Sequence, residues 1–281
     1  MSARSGPQRV GAGRIEWLAE RCSPRDWAIL KTVNRLRLAT GLQLERLHFG
    51  ELSGKSRSVT RWRVLKRLTD WRVIMPLERR QGGAARGSAG MVFVLDSAGH
   101  RLLARLLARR QAADGEIVRV RRPTAPGERS VRHTLAVSEL FVELVEHARF
   151  RNFGLPVFLA EPACWWPDGS GGWVKPDAYA LLETLALSDH WAIEVDLATE
   201  SLPPLKRKLQ AYVAYHDHGG IGPRGVMPRV LVTVPEERRE QQVVELIARL
   251  GADQLVRVVR RERAADYLVD VLTTSDDNAG D

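Results

Sequence analysis

Three acidic residues and one downstream lysine have the types and spacing on which chemistry could be built: Asp177, the pair Glu194 and Asp196, and Lys208. Residues two apart on a strand point to the same side of a sheet. Glu194 and Asp196 are therefore predicted to share a face, and Asp177, entering a neighbouring strand after Lys175 and Pro176, joins them. Converging carboxylates suit a hard divalent cation, Mg²⁺ or Mn²⁺, which activates water and neutralises charge developing on a scissile phosphate. Asp177 and Glu194 are the expected metal ligands, and Glu139 on the preceding helix is a further oxygen donor. Lys208 and Tyr212 stand four apart on a predicted helix, a spacing that puts both on one face. From that face they are placed to reach a phosphate at the sheet's edge. The plainer alternative is that the three acids end strands or pair with Lys175 and Lys206.

The elements that would position these residues follow from hydrophobic periodicity. A helix is predicted over 130–150, a strand over 155–165, a turn over 167–172, and strands over 173–182 and 190–197. A helix over 202–216, a strand over 230–234, a helix over 236–250 and a strand over 255–259 complete the order. That order predicts an α/β sandwich with a mixed central sheet across 130–262, with 263–281 as a C-terminal tail. Asp168 also follows a proline, but the glycines after it mark a turn, and His216-Asp217-His218 reads as a polar helix end.

The first half of the chain carries a different signal. Residues 1–122 hold 26 Lys and Arg against 10 Asp and Glu, a net +16, whereas residues 123–281 hold 17 against 24, a net −7. A polyanion is the partner that relieves so concentrated a positive field, which points to double-stranded DNA. Ser23-Pro24-Arg25-Asp26 opens one helix, Thr40 caps a second short one, and a third is predicted over 56–70. On this third helix Ser56, Thr60, Arg63 and Arg67 form one polar stripe, with Arg57 beside it, and Trp62, Leu65 and Leu68 are expected on the packing side. Strands at 73–80 and 91–95 flank a Gly-rich segment with Arg79, Arg80 and Arg86, so 23–110 reads as a winged helix-turn-helix. A wing that binds protein is the competing reading. The helix over 98–110, with Leu102, Leu103, Leu106 and Leu107, serves either a homodimer or an ordinary core.

Residues 111–129 are expected to be a linker, with one short strand at 117–120, and residues 1–22 a flexible N-terminus. The N-terminal segment lacks the apolar stretch of a signal peptide, and no run approaches a membrane span, so the expected location is cytoplasmic, with no membrane partner. Cys22 and Cys164 are too few and too far apart for a cysteine-rich zinc site and are expected to be reduced packing residues.

Pro176-Asp177, Glu194-x-Asp196 and Lys208-x-x-x-Tyr212, in this strand and helix order, resemble the core of restriction-endonuclease-like nucleases of the PD-(D/E)xK class. In that class the Asp and Glu hold metal and a Lys assists the attacking water or the phosphate. The usual Lys two residues after the Glu is Asp196 here, so the resemblance implies either that a lysine migrated to the helix, Lys206 or Lys208, supplies the catalytic cation, or that the site is catalytically silent. Over about 23–235 the chain is also similar to the replication-relaxation family of plasmids and integrative elements. The similarity rests on 36–49, 87–95, 133–139 and 192–201. It implies DNA binding in plasmid replication or DNA relaxation, with Mg²⁺- or Mn²⁺-dependent nicking if the second domain is active. The alternative is a non-enzymatic regulator whose second domain mediates dimerisation or partner binding.

Overall fold

A computed structural model of the chain describes residues 10–77, 90–114 and 127–279, with side chains described outside 109–114 and 275–279. The chain divides into two units, 1–135 and 136–281.

In the first unit, helix α1 (Ala12–Arg21) precedes α2 (Pro24–Leu36), β1 (Ala39–Thr40), α3 (Gly41–His48), α4 (Gly54–Asp70), β2 (Ile74–Pro76), β3 (Val92–Leu95) and α5 (Ser97–Asp114). Two of the helix starts are fixed by reciprocal caps. Ser23 and Asp26 close one capping box on α2, and Thr40 and Gln43 close another on α3, each satisfying two backbone N–H groups that the helix leaves unpaired. The strands form an antiparallel sheet in the order β1-β3-β2, with Thr40 opposite Val92 and Pro76 opposite Phe93. Ile29, Leu30, Val33, Leu44, Phe49, Leu65, Leu68, Phe93 and Leu102 share one buried core, each contributing about 1.5–3 kcal/mol. Gly99 is required at the start of α5, because a Cβ there would meet the carbonyl oxygen of Val73 at 2.2 Å.

Two expectations for this unit need correction. In place of the expected flexible N-terminus over 1–22, residues 12–21 form helix α1, which buries Ile15 and Leu18 in the core, and Trp17 packs edge-on against Trp71 at 5.6 Å. The alternative left open for α5 is also decided in part, since Leu102 and Leu103 are buried in their own unit's core. The segment with Arg79, Arg80 and Arg86, and the expected strand at 117–120, lie outside the described residues.

In the second unit, α6 (Glu128–Ala148, entering from the first) leads to β4 (Gly154–Ala160), β5 (Trp166–Pro167), β6 (Trp173–Val174), β7 (Ala178–Glu183) and β8 (Ser188–Val195). Helix α7 (Leu202–Asp217), β9 (Arg229–Val234), α8 (Glu237–Arg249), β10 (Val256–Arg260) and α9 (Ala264–Ala279) follow. The five-stranded sheet runs β10-β9-β8-β7-β4; β8, β9 and β10 are mutually parallel, and β7 and β4 are antiparallel to their neighbours. The fold is thus mixed α/β. Cross-strand partners share a face, which assigns the layers. Ala192, Val230 and Val232 pack with Leu205, Leu209 and Tyr212 of α7 and Val243, Leu246 and Ile247 of α8. On the other face Phe158 meets Phe141 of α6, and Trp191 meets Tyr267 of α9.

The expected long strands over 155–165 and 173–182 are shorter, because Asp168 accepts from the N–H groups of Ser170 and Gly172 and closes a separate two-stranded hairpin, β5-β6. The expected tail is instead helix α9, which buries Ala264, Ala265, Leu268, Val269 and Leu272. Its apolar side chains recur at helical spacing, and the sheet face carrying Trp191 would otherwise be exposed to water. No helix among the described residues is long and apolar enough to cross a membrane.

Candidate functional site

The second unit brings three of its five expected site residues together: Asp177, Glu194 and Lys208. Asp177 stands just before β7 and Glu194 lies on β8. Their backbones are linked by the Asp177 N–H, which donates to the Ile193 carbonyl at 3.0 Å. Both carboxylates are buried. Lys208, one turn before Tyr212 on α7, places its Nζ 2.9 Å from Asp177 Oδ1 and 2.5 Å from Glu194 Oε2. The Tyr212 hydroxyl donates to Glu194 Oε1 at 2.7 Å, and the Val195 N–H donates to Asp177 Oδ2 at 2.7 Å. Of the two lysines expected on this helix, Lys208 is the one that meets the carboxylates; Lys206 is exposed on the other side of the helix.

Burial sets the electrostatics. It pushes Glu194 up to about 8, with the neighbouring Asp177 charge acting in the same direction and Lys208 and Tyr212 opposing it. For Lys208, burial works against the charged form, but the Glu194 and Asp177 carboxylates outweigh it and hold the ammonium above its ordinary value. Tyr212 is raised well above the usual phenol range by burial and then by Glu194, so it remains a hydrogen-bond donor at neutral pH.

Asp196 does not join this cluster. It keeps the side of the sheet that Glu194 takes, toward the layer of α7 and α8, as the alternation of a strand requires, but it meets α8 where Glu194 meets α7. Its Oδ2 accepts from Arg239 Nε on α8 at 2.6 Å and its Oδ1 accepts from the Ala198 N–H at 2.7 Å, while Arg239 also donates to the Glu200 carbonyl at 3.1 Å. Arg239 carried no signal in the sequence, since nothing local marks an arginine on one helix as the partner of an acid forty residues earlier. Glu139 sits half-buried on α6, and the set Asp177, Glu194 and Glu139 is not assembled: no group of three or more His, Cys, Asp or Glu side chains among the described residues is arranged to hold a metal ion.

The donor set decides whether Mg²⁺ or Mn²⁺ fits. A hard cation needs several oxygens aimed at one point. Here every oxygen of Asp177 and Glu194 already accepts a hydrogen bond, and the Lys208 ammonium bridges the two carboxylates. With that ammonium in place, a divalent ion does not fit between them.

In the first unit, α4 turns Arg61, Leu65 and Leu68 inward and Lys55, Ser56, Trp62, Arg63 and Lys66 outward. Arg61 pairs with Glu45 of α3, which fixes the rotation of the helix. The expected stripe therefore lies along the edge of the exposed face. Ser56 and Arg63 are exposed, Thr60 is half-buried, and Arg57 donates from Nε to the Leu52 carbonyl at 2.6 Å. Arg67 is committed to α2, its Nη2 lying 2.6 and 2.7 Å from the two oxygens of buried Asp26. Trp62, expected in the core, is 50 % exposed. Lys55, Trp62 and Lys66 carry no marker in the sequence, because a tryptophan at helical spacing fits the packing side; the inner position belongs to Arg61, whose aliphatic stem packs while its charge is paired. Lys66 also pairs with Asp70 at 2.6 Å on the surface.

Other polar side chains of the second unit have structural partners. Tyr179 Oη and His190 Nδ1 are 2.6 Å apart, His218 Nδ1 lies 2.6 Å from the Ala214 carbonyl at the end of α7, and the buried Cys164 thiol donates to the Pro176 carbonyl at 3.1 Å. Burial raises Cys22, to about 11, and Cys164 still further, which keeps both as thiols.

A helical unit that exposes a basic face, and a mixed sheet flanked by helices that buries two carboxylates under one lysine, define a two-unit α/β protein. The chain belongs to the replication-relaxation family, whose model matches residues 30–230. That membership points to a role in plasmid or mobile-element replication or relaxation. Searches of curated proteins and of solved structures find no match to it.

Proposed function

We propose that this protein is a double-stranded-DNA-binding factor of plasmid or mobile-element replication and relaxation, in which 23–110 acts as a winged helix and α4 enters the DNA groove. The observation that carries the reading is the outer face of α4. Lys55, Ser56, Trp62, Arg63 and Lys66 are solvent-facing on a helix whose opposite side is held by Arg61, Leu65 and Leu68. Guanidinium and ammonium groups neutralise phosphates and read base edges, and the indole offers an apolar contact to a base or a thymine methyl. The net +16 of residues 1–122 supplies the long-range attraction.

Duplex-DNA binding followed by fluorescence anisotropy across a salt series tests this reading. The Lys55→Ala/Arg63→Ala variant is expected to bind more weakly and to lose roughly one unit of log-log salt slope per phosphate contact removed. Unchanged affinity and slope would overturn the assignment of α4.

A second reading, metal-dependent nicking by the restriction-endonuclease-like second unit, is favoured by the meeting of Asp177, Glu194 and Lys208. The engagement of every carboxylate oxygen in that cluster favours binding without scission. Supercoiled plasmid incubated with the full chain and Mg²⁺ or Mn²⁺ separates the two. Nicking abolished by both Asp177→Ala and Glu194→Ala would establish the enzyme; intact plasmid alongside DNA binding supports the non-cleaving factor.

A further inference from the structure

We infer that Lys208 is the resident cation of the second unit: its ammonium stands where a divalent ion would bridge Asp177 and Glu194, making this cluster a charge lock between sheet and helix rather than a metal centre. The inference does not depend on the DNA-binding role of α4.

Three observations carry it. The ammonium touches one oxygen of each carboxylate, at 2.9 and 2.5 Å, so it bridges the pair as a cation must. The two other oxygens are taken by donors built into the fold, the Val195 backbone N–H and the Tyr212 hydroxyl, and neither can withdraw without breaking the β8 backbone geometry or the packing of α7. The third acid that could have completed a metal site, Asp196, is bound to Arg239. A buried carboxylate pair without a cation is strongly unfavourable; one ammonium relieves it at the point where β7, β8 and α7 meet. Strand β8 and the residue that follows it thus make two separate ion pairs, one to each helix of this layer.

The lock makes an unusual statement about metal. In the wild-type full chain, Mn²⁺ competes with a tethered ammonium at very high local concentration and finds no vacant oxygen. Removing the ammonium while keeping its apolar stem leaves the Asp177 and Glu194 carboxyl groups buried without a cation, and a divalent ion, displacing any proton held between them, then has a reason to enter.

Calorimetric titration with Mn²⁺, and thermal melting with and without it, test the inference. The wild type is expected to show no saturable Mn²⁺ binding and an unchanged Tm. Lys208→Met is expected to melt lower than wild type in chelator and to recover several degrees on addition of Mn²⁺, and Lys208→Met/Asp177→Asn to lose that recovery. Lys208→Arg, which keeps a cation, is expected to gain no Mn²⁺ response. If Lys208→Met folds only when Mn²⁺ is present, the lock is supported. Stoichiometric Mn²⁺ binding by the wild type that Asp177→Asn abolishes would overturn it, a result that needs no Lys208 variant to fold. A Lys208→Met variant indifferent to Mn²⁺ would overturn it as well.

Discussion

Arg67 on α4 places a single guanidinium nitrogen within 2.7 Å of both carboxylate oxygens of Asp26 on α2. Asp26 is itself the third residue of the α2 capping box, accepting from the Ser23 N–H at 2.9 Å and from the Ser23 hydroxyl at 2.8 Å. The contact therefore ties the start of one helix to the end of another. The Arg67 side chain remains 42 % exposed while that of Asp26 is 0 % exposed, so the arginine brings solvent-side charge to an acid that has none.

Arg67→Ala is expected to lower unfolding stability by about 1–3 kcal/mol, because it leaves a buried acceptor without its charged partner. Arg63→Ala, at an exposed position on the same helix, is expected to change stability by less than about 0.5 kcal/mol. Urea melts of the two variants make the comparison. Equal and small effects would show that Arg67 is not structural.

Trp62→Ala should leave the melting temperature close to wild type, because the residue is half-exposed and lies outside the buried face of α4. Duplex affinity should fall measurably, with the salt slope unchanged because no phosphate charge is lost. Anisotropy at two salt concentrations separates this apolar contact from the cationic ones. A stability loss of several kcal/mol would return Trp62 to the core.

Glu194 gives a pH prediction. Burial raises its folded-state value to about 8, above the ordinary carboxylate value expected in the unfolded chain. Between those values the folded state holds more protons than the unfolded state, so this group's contribution is fully present at acid pH and is lost as pH rises through about 8. Glu194→Gln removes the titration. Stability measured from pH 5 to pH 8.5 should fall more steeply in wild type than in this variant, and parallel curves would refute the assignment.

Arg239→Ala should destabilise the second unit by about 3–5 kcal/mol, since it strands the largely buried Asp196 carboxylate. Arg239→Ala/Asp196→Ala should recover part of that loss, because the buried charge is then gone. A double-mutant cycle by chemical denaturation measures the coupling; additive losses would place Asp196 elsewhere.

Local physics made much of this molecule readable in one dimension. The Ser23 and Thr40 caps, the turn at Asp168, the alternation around Ile193 and Glu194, and the four-residue spacing of Lys208 and Tyr212 all depend on neighbours within a few positions. Which helix of the layer answers each acid was not readable from such neighbours, and that placement gives Asp196 to Arg239 on α8 while Asp177 and Glu194 meet Lys208 on α7. The rotation of α4 was equally hidden. An amphipathic pattern bearing both tryptophan and arginine fits two phases, and the Arg61 contact with Glu45 on another helix chooses between them.

Charge segregation, the order of the elements between α2 and β10 apart from the small β5-β6 hairpin, and the Asp177, Glu194 and Lys208 spacing belong to the sequence alone, because each is fixed by residue type and short-range geometry. Which oxygen meets which cation was decided only in three dimensions. Partners such as Asp26 with Arg67, and Asp177 with Lys208, are separated by 41 and 31 positions. Burial makes an unpaired charge intolerable, and the packing of whole elements determines which partner stands close enough to answer it.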